Sequence, residues 1–139
     1  MTTSDPAAHR RALLDTSVFI AAESERRLDE DRLPEESAIS VVTLAELHAG
    51  VLAAPDTDIR ALRIATLDVL SDVEVLPVDQ RAAVAWARLR VHLAETGRRV
   101  NVNDLWIAAC AVAHDLPVVT QDGDFDPLDG VAGLTIVRV

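Results

Sequence analysis

The sequence predicts a three-layer α/β/α domain built on a mainly parallel sheet of about five strands. Short apolar segments alternate along the chain with longer segments whose apolar residues have helical spacing, which is typical of this class. Residues 117–120 (PVVT) form an apolar run without alternation, as in parallel strands that are buried on both faces. Because 139 residues suit one domain, we expect a single domain over residues 1–139, with residues 1–10 as a flexible tail.

Five short apolar segments predict the strands of this sheet. The first leads directly into Asp15, so it ends at an acid. The third contains Pro77, which cannot donate a backbone hydrogen bond, and this indicates a position near an edge of the sheet. The predicted strands are residues 11–14, 38–42, 73–78, 117–120 and 134–139.

Five segments with helical spacing predict the helices. The second is ended by Pro55, and the fourth begins at a candidate N-cap, Asp79, and ends at a candidate C-cap, Gly97. Residues 24–36 are dense in charge and predict a mobile, solvated connection. The predicted helices are residues 16–23, 43–53, 57–72, 79–96 and 103–114.

The charge of the chain restricts its classes of function. The chain has 13 basic residues, all of them arginine, and 23 acidic residues, which gives a net charge of −10. Such a domain is repelled by nucleic acid unless part of its charge is neutralised. The sequence therefore indicates an acidic protein with a basic partner, a protein whose carboxylates hold metal, or both.

The sequence also predicts a cytoplasmic protein without a membrane or secretory segment. The longest apolar stretch, residues 105–113, has about half the length of a membrane helix. The first residues contain no apolar region of the secretory type. The single cysteine, Cys110, lies in an apolar run, and we expect a buried thiol in a reducing compartment.

Four acidic residues stand out because of their places in the predicted fold. Asp15 follows the first strand, and Asp122 lies just beyond the fourth. Glu46 lies one turn into the helix after the second strand, and Asp104 lies at the start of the last helix. Because functional sites of such folds lie beyond the carboxyl ends of the strands, we expect the four carboxylates to converge at one sheet edge.

Each of these acids also has a purely structural explanation. Glu46 is placed to close a capping box with Thr43, and Asp104 follows a candidate cap at Asn103. The first acid is placed to cap the first helix, and the last forms a common turn dipeptide with Gly123. Caps and turns need not all lie at one end of one sheet. Structural roles alone therefore do not explain why all four acids are expected at the same edge.

A cluster of carboxylates at one sheet edge predicts a divalent-cation site. Carboxylates within a few ångströms of one another cannot all stay ionised without a counter-charge. The set has no nearby cysteine and no histidine pair, and hard oxygen ligands favour Mg²⁺ or Mn²⁺ over zinc. The sequence also lacks a phosphate-binding glycine loop and a serine nucleophile motif.

The segments around these acids resemble the ordered motifs of the PIN-domain ribonucleases, in particular the VapC toxins of bacterial VapBC toxin–antitoxin pairs. They read LLDTSVFI from Leu13, TLAEL from Thr43, NDLWIAA from Asn103 and VTQDGDF from Val119. The segments occur in the family's order, and the resemblance extends over residues 12–139. It implies a PIN-like version of the α/β/α fold.

The resemblance implies an Mg²⁺-dependent endoribonuclease in which Mn²⁺ is expected to substitute. It assigns Asp15 and Asp104 as central metal ligands and catalytic residues, with Glu46 and Asp122 completing the set. Asp124 matches a second acid position of the last motif, so two acids compete for the fourth place. We favour Asp122 as the ligand and expect Asp124 to support it or to shape the turn.

Further roles and partners are expected for such a protein. Thr16 and Ser17 would orient Asp15 or contact a phosphate, and Arg98 and Arg99 form a local basic patch that would bind RNA. The expected partners are an RNA substrate, a second copy of the chain, and a basic, partly flexible VapB-like antitoxin in a heterotetramer or larger assembly. The toxin would cleave cellular RNA and inhibit growth until the antitoxin neutralises it.

Three other functions compete with a ribonuclease toxin. A catalytically silent PIN module that only binds partners is disfavoured by the complete set of acids. A phosphotransferase of the haloacid-dehalogenase type requires a second acid two residues after the first, where this chain has Ser17. A receiver-like signalling domain requires a lysine, and the chain has none.

Overall fold

Parallel pairing of short strands forms the centre of the molecule. The computed structural model describes residues 9–139, and every strand pairing within this range is parallel. The strands are β1 Arg11–Leu14, β2 Glu36–Ser40, β3 Glu74–Leu76, β4 Val118–Thr120 and β5 Ile136–Arg138. Their order across the sheet is β3-β2-β1-β4-β5, which confirms the mainly parallel sheet expected from the sequence.

Helices cover both faces of this sheet. They are α1 Thr16–Glu23, α2 Val41–Leu52, α3 Thr57–Val69, α4 Gln80–Thr96 and α5 Val102–Ala113. Successive strand residues point to opposite faces, so Leu13 packs in a cluster with α4 and α5, whereas Leu14 packs in a second cluster with α1 and α2. The three-layer α/β/α arrangement is therefore confirmed.

The interior contains few aromatic rings and is filled mainly by aliphatic side chains. Trp86 of α4 and Trp106 of α5 stack with ring centroids 5.1 Å apart, and Phe125 is fully buried. Cys110 is fully buried in α5, which confirms its expected place in the core, and burial raises the pKa of its thiol.

The edges of the sheet agree with the proline argument. β3 is an edge strand, and it ends at Leu76, so Pro77 follows the strand and does not interrupt its ladder. Residues 1–8 of the expected flexible tail lie outside the described residues. The carbonyl oxygens of His9 and Arg10 accept hydrogen bonds from the backbone N–H groups of residues 35 and 36. Over residues 9–139, no helix has the length and apolar character needed to cross a membrane.

Two predicted boundaries are wrong, and both errors have a local cause. The segment expected to continue as a strand through Val42 already becomes helix at Val41, because the hydroxyl of Ser40 caps α2 by accepting the N–H of Val42 at 3.0 Å. The charged connection 24–36 is partly ordered, since it contains a 3₁₀ turn at Glu30–Arg32 and its last residue belongs to β2. Two leucines in this connection pack against the second core cluster.

The caps of α4 are as predicted. The side chain of Asp79 accepts the N–H of Ala82 at 3.0 Å, and the helix ends at Gly97, whose φ of +65° is left-handed. The N–H of Arg98 then donates to the carbonyl of Leu93 at 3.0 Å, which closes the helix end. This turn directs the chain into α5, the helix that carries Asp104.

We predict that Gly97→Ala lowers the free energy of unfolding by about 1 kcal/mol, because a side chain disfavours left-handed backbone. A Cβ at this position meets no atom within 4 Å, so the cost arises from the backbone alone. Gly50→Ala is the matched control, since Gly50 lies inside α2 and its added Cβ makes only an ordinary contact at 3.8 Å. It should stabilise by about 0.5–1 kcal/mol. Urea unfolding measures both, and equal effects of the two changes would contradict the argument.

Candidate active site

Asp15 lies where β1 gives way to α1. Its N–H donates to the carbonyl of Val119 at 2.9 Å, so the residue still belongs to the sheet ladder. Its carboxylate accepts the N–H of Ser17 at 3.3 Å and the hydroxyl of Thr120 at 3.1 Å. Asp15 is therefore both the N-cap of α1 and a buried acid at the carboxyl end of the sheet. Burial raises its pKa more than the hydrogen bonds of Ser17 and Thr120 lower it, and the charge of Asp122 raises it further.

Glu46 is held by a hydroxyl from another helix. The Oγ1 of Thr16 donates to Oε1 of Glu46 at 2.6 Å, and it lies 3.1 Å from Oγ1 of the buried Thr43. The amide of Asn103 donates to Oε2 of Glu46 at 3.4 Å. The capping-box explanation for Glu46 is wrong, because α2 begins at Val41 and Thr43 already lies inside the helix. Glu46 instead connects α1, α2 and α5.

Asp104 lies in the first turn of α5. The helix begins at Val102, and its cap is Asn101, which accepts the N–H of Asn103 at 2.9 Å. The expected cap at Asn103 is therefore wrong by two residues, and its side chain reaches Glu46 instead.

The pKa of Asp104 reports the convergence of the acids. It is raised to about 7, first by burial and then by the negative charges of Asp15, Asp124, Glu46 and Asp122, in that order. Charges affect one another in this way only over short distances in a partly buried environment. The structure thus brings together the four acids singled out in the sequence and adds Asp124 to them.

The loop after β4 is tied to α1 by hydroxyl groups. Ser17 Oγ accepts the N–H of Gln121 at 3.0 Å and lies 3.2 Å from Oγ1 of Thr120. Oδ1 of Asp122 accepts the N–H of Asp124 at 3.1 Å, so the expected turn at Asp122 is present. Of the two candidate hydroxyls, Ser17 is the one that contacts Asp15 and this loop, whereas Thr16 is engaged with Glu46.

The two acids of this loop act on different partners. Asp122 raises the pKa of Asp15, whereas Asp124 contributes more than Asp122 to the raised pKa of Asp104. Which of the two acids takes the fourth place stays a prediction, in which we favour Asp122. The sequence did not point to Thr120 as a site residue, and it indicated Asn103 only as a helix cap. Their positions beside the acid motifs, at a strand end and a helix start, were the available signal.

The donor set fits a hard divalent cation. Among residues 9–139, no three His, Cys, Asp or Glu side chains form a ready-made metal cage. Mg²⁺ does not require one, because it is usually held by one or two carboxylates together with waters and substrate phosphate oxygens. Burial and neighbouring negative charge raise the pKa of both Asp15 and Asp104, so their ionised forms would be stabilised by a nearby counter-charge. A divalent cation between them would supply it.

Arg98 and Arg99 lie on the exposed loop between α4 and α5. This loop directly precedes the helix turn that carries Asp104. Both arginines thus lie next to this turn along the chain, and their role in binding RNA stays a prediction.

The arrangement of four acid-bearing segments on a parallel sheet has counterparts among known proteins. The sequence model of the PIN-domain family matches residues 12–131 of this chain. The chain therefore belongs to the PIN-domain family.

Relatives narrow this assignment. The chain is 61% identical to Ribonuclease VapC5 of Mycobacterium tuberculosis over 137 residues, which cover 99% of each chain. It is 44% identical to Ribonuclease VapC4 of the same organism over 128 residues, which cover 91% of this chain and 98% of the relative. The crystal structure of VapBC-5, a toxin–antitoxin system from M. tuberculosis, contains a chain with 60% identity and a TM-score of 0.88. The match covers 94% of this chain and 100% of that one. Within the PIN domains, the chain belongs to the VapC ribonucleases, which confirms the resemblance of the motifs.

We predict that Asp104→Asn stabilises the metal-free protein at about pH 8 by about 2 kcal/mol. The raised pKa of Asp104 corresponds to a loss of about 4 kcal/mol in the free energy of unfolding when the carboxyl ionises, and solvent screening of the partly exposed side chain roughly halves this loss. The pKa of Asp104 is raised in the folded state, so the wild type is most stable below the unfolded pKa. It loses this stability as the pH rises from about 4 through about 7. The variant cannot ionise and should not lose it.

Urea unfolding with a chelator at several pH values measures this difference. Asp68→Asn is the control, because Asp68 is an exposed acid on α3. If the difference in unfolding free energy between wild type and Asp104→Asn stays constant with pH, ionisation of Asp104 does not destabilise the folded state and the prediction is wrong.

Proposed function

We propose that this protein is an Mg²⁺-dependent endoribonuclease toxin that cleaves cellular RNA, inhibits growth and is neutralised by a cognate antitoxin. The observation that carries the proposal is the raised pKa of Asp104, to which four further carboxylates contribute in a VapC ribonuclease. An enzyme that binds a polyanion gains nothing from five uncompensated acids unless a cation joins them. Mn²⁺ is expected to replace Mg²⁺, since both prefer oxygen ligands.

The four acids have separate places in this proposal. Asp15 and Asp104 would hold the cation, because Asp15 is buried, Asp104 is partly buried, and the pKa of each carboxyl is raised. Glu46 and Asp122 would complete the set from the α2 and β4 sides. When bound, the cation lowers the pKa of a water and neutralises charge on the scissile phosphate.

The surrounding side chains fix the orientation of these acids. The hydroxyl of Thr16 holds one oxygen of Glu46, and the amide of Asn103 holds the other, so the carboxylate keeps one direction. Thr120 lies 3.1 Å from Asp15 and 3.5 Å from Asp122 through its hydroxyl oxygen, and it links the two strands that carry them. Preorganised acids of this kind would hold a cation in place without rearrangement.

Neutralisation would use the surface between α1, α2 and α3. A cavity of about 200 Å³ starts at Thr16 and Glu46 and continues past Ile20 and Gly50 to Arg63. Apolar side chains beside it are exposed, and α3 has no fully buried residue. VapBC-5 is a toxin–antitoxin pair, and we propose that a basic, partly flexible antitoxin of this chain occupies the cavity. An arginine of the antitoxin would pair with the carboxylates of the candidate active site in place of the cation.

The assembly and compartment belong to the same proposal. We expect a homodimer that binds antitoxin as a heterotetramer or larger complex in the cytoplasm. Val84 and Val91 on α4 are 62% and 55% exposed and offer an apolar face for a second copy.

We predict that Asp104→Asn and Asp15→Ala each reduce RNA cleavage at least about a hundredfold in Mg²⁺, because neither variant presents the charge that the cation requires. The measurement uses a panel of cellular RNAs, with products mapped at both ends, and growth of cells that express each variant. Asp68→Asn, an exposed acid on α3, is the control and should cleave as the wild type does.

Undiminished cleavage by Asp104→Asn protein of verified purity would remove the metal-dependent mechanism. Absence of cleavage by the wild type itself, over the whole RNA panel, would favour a PIN module that only binds partners.

We predict that Mg²⁺ or Mn²⁺ raises the melting temperature of the wild type by about 9 °C at about one hundred times the Kd, since only the folded state assembles the ligands. Asp15→Ala should lose most of this response, and Asp68→Asn should keep it. Differential scanning calorimetry measures the shift. Equal shifts in all three proteins would mean that the cation binds elsewhere on this acidic surface.

A further inference from the structure

A groove separates the second half of α4 from the start of α5. Its volume is about 520 Å³. Its floor is apolar, with Trp86, Leu93 and Leu105, and its walls carry Arg90, Arg98 and Arg99.

The groove lies in the one long segment of this acidic chain that is strongly positive. Residues 80–103 contain five arginines and a single acid, Glu95, which gives a net charge of +4. The other 115 residues contain eight arginines and 22 acids, which gives a net charge of −14. The positive charge is thus concentrated on α4 and on the loop that follows it.

The topology places this groove next to the acids. Asn103 donates to Glu46 at 3.4 Å, and the neighbouring Asp104 senses the charge of Asp15, so the start of α5 lies at the candidate active site. Arg98 and Arg99 precede this turn directly, and Arg90 lies about two helical turns before Gly97 on α4. The groove and the candidate active site therefore share the first turn of α5, where Val102 and Leu105 line the groove.

The three arginines are available for a ligand. All are exposed, and none forms a salt bridge or side-chain hydrogen bond with another residue in the range 9–139. By contrast, Arg11 pairs with Glu74, and Arg81 donates to the carbonyl of Ala113 at the other end of the helix pair. The backbone that presents the groove arginines is fixed by the left-handed turn at Gly97.

We propose that this groove binds the phosphodiester backbone of the RNA on one side of the cleavage site and leads it to the acids. The proposal rests on the ribonuclease function proposed above. Arginine is the side chain best suited to phosphate, because its planar guanidinium donates two parallel hydrogen bonds. Contacts of this kind position a nucleic acid without reading its sequence. Three such contacts beside the acids would offset the repulsion that the net charge of −10 imposes on RNA.

The test measures RNA binding without cleavage, in an Asp104→Asn background. The probe is a fluorescein-labelled single-stranded RNA of mixed sequence, and its anisotropy is followed from about 50 to about 200 mM salt. Arg90→Ala, Arg98→Ala and Arg99→Ala should each weaken binding about threefold at low salt and reduce the slope of log K against log salt by about 1. Arg88→Ala is the matched control, since Arg88 is exposed on the same helix but lies beside Ala113. It should change neither quantity.

A second measurement separates this proposal from the ribonuclease function. With Asp104 intact, the three variants should cleave the same RNA with a raised KM and an unchanged kcat. If RNA affinity and its dependence on salt are unchanged in all three arginine variants, the proposal that the groove binds RNA is wrong. Loss of affinity for poly-glutamate, with RNA affinity unchanged, would also overturn it and assign the groove to an acidic protein segment. If the wild type cleaves no RNA but the variants still lose RNA affinity, RNA binding by the groove is supported and the proposed ribonuclease function is wrong.

Discussion

The pairing of β1 with a parallel neighbour on each side is the constraint on which the candidate site depends. β1 lies between β2 and β4, and the N–H of Asp15 extends this ladder by its hydrogen bond to the carbonyl of Val119. The three strands therefore end at the same edge, where α1, α2 and the loop after Thr120 begin. Because side chains alternate along a strand, a shift of β1 by one residue would exchange the faces of Leu13 and Leu14 and remove Asp15 from the edge. The same ladder that buries the core thus decides where the acids meet.

This arrangement concentrates negative charge that the chain only partly compensates. Hydroxyl and amide donors from four segments contact the carboxylates, yet the pKa of Asp15 stays raised, since burial outweighs those hydrogen bonds. The pKa of Asp104 is raised to about 7, first by burial and then by the negative charges of the neighbouring acids. A divalent cation or an arginine of a partner would each neutralise this negative charge. Because both would bind the same carboxylates, the cation would activate the site and the arginine would inhibit it.

The sequence was sufficient for the class of fold, the parallel sheet, the edge position of β3 and the convergence of the acids, because these depend on the order of apolar segments and on where acids follow them. It was insufficient where partners are distant in the chain. Thr120 contacts Asp15 across 105 residues, and Asn103 contacts Glu46 across 57, so neither contact leaves a local pattern. The start of α2 was misplaced because Val41 and Val42 have strand propensity, whereas the single hydroxyl of Ser40 decides the helix start. For the same reason, the capping box at Thr43 matched in sequence and is absent in the fold.

The distribution of charge explains how a chain with a net charge of −10 would accept RNA. At physiological salt the Debye length is about 8 Å, so exposed acids farther from the strand than this repel it weakly. Guanidinium groups in direct contact with phosphates are screened far less. The three arginines of the groove would therefore govern binding, whereas most of the −14 on the residues outside 80–103 would affect only the approach of the RNA. The acids that the RNA must reach are those around Asp104, and these are the acids that a divalent cation would neutralise. Because Arg90 lies on α4, and Arg98 and Arg99 lie on the loop that leads to Asp104 of α5, one short segment would both attract the strand and present it to the site.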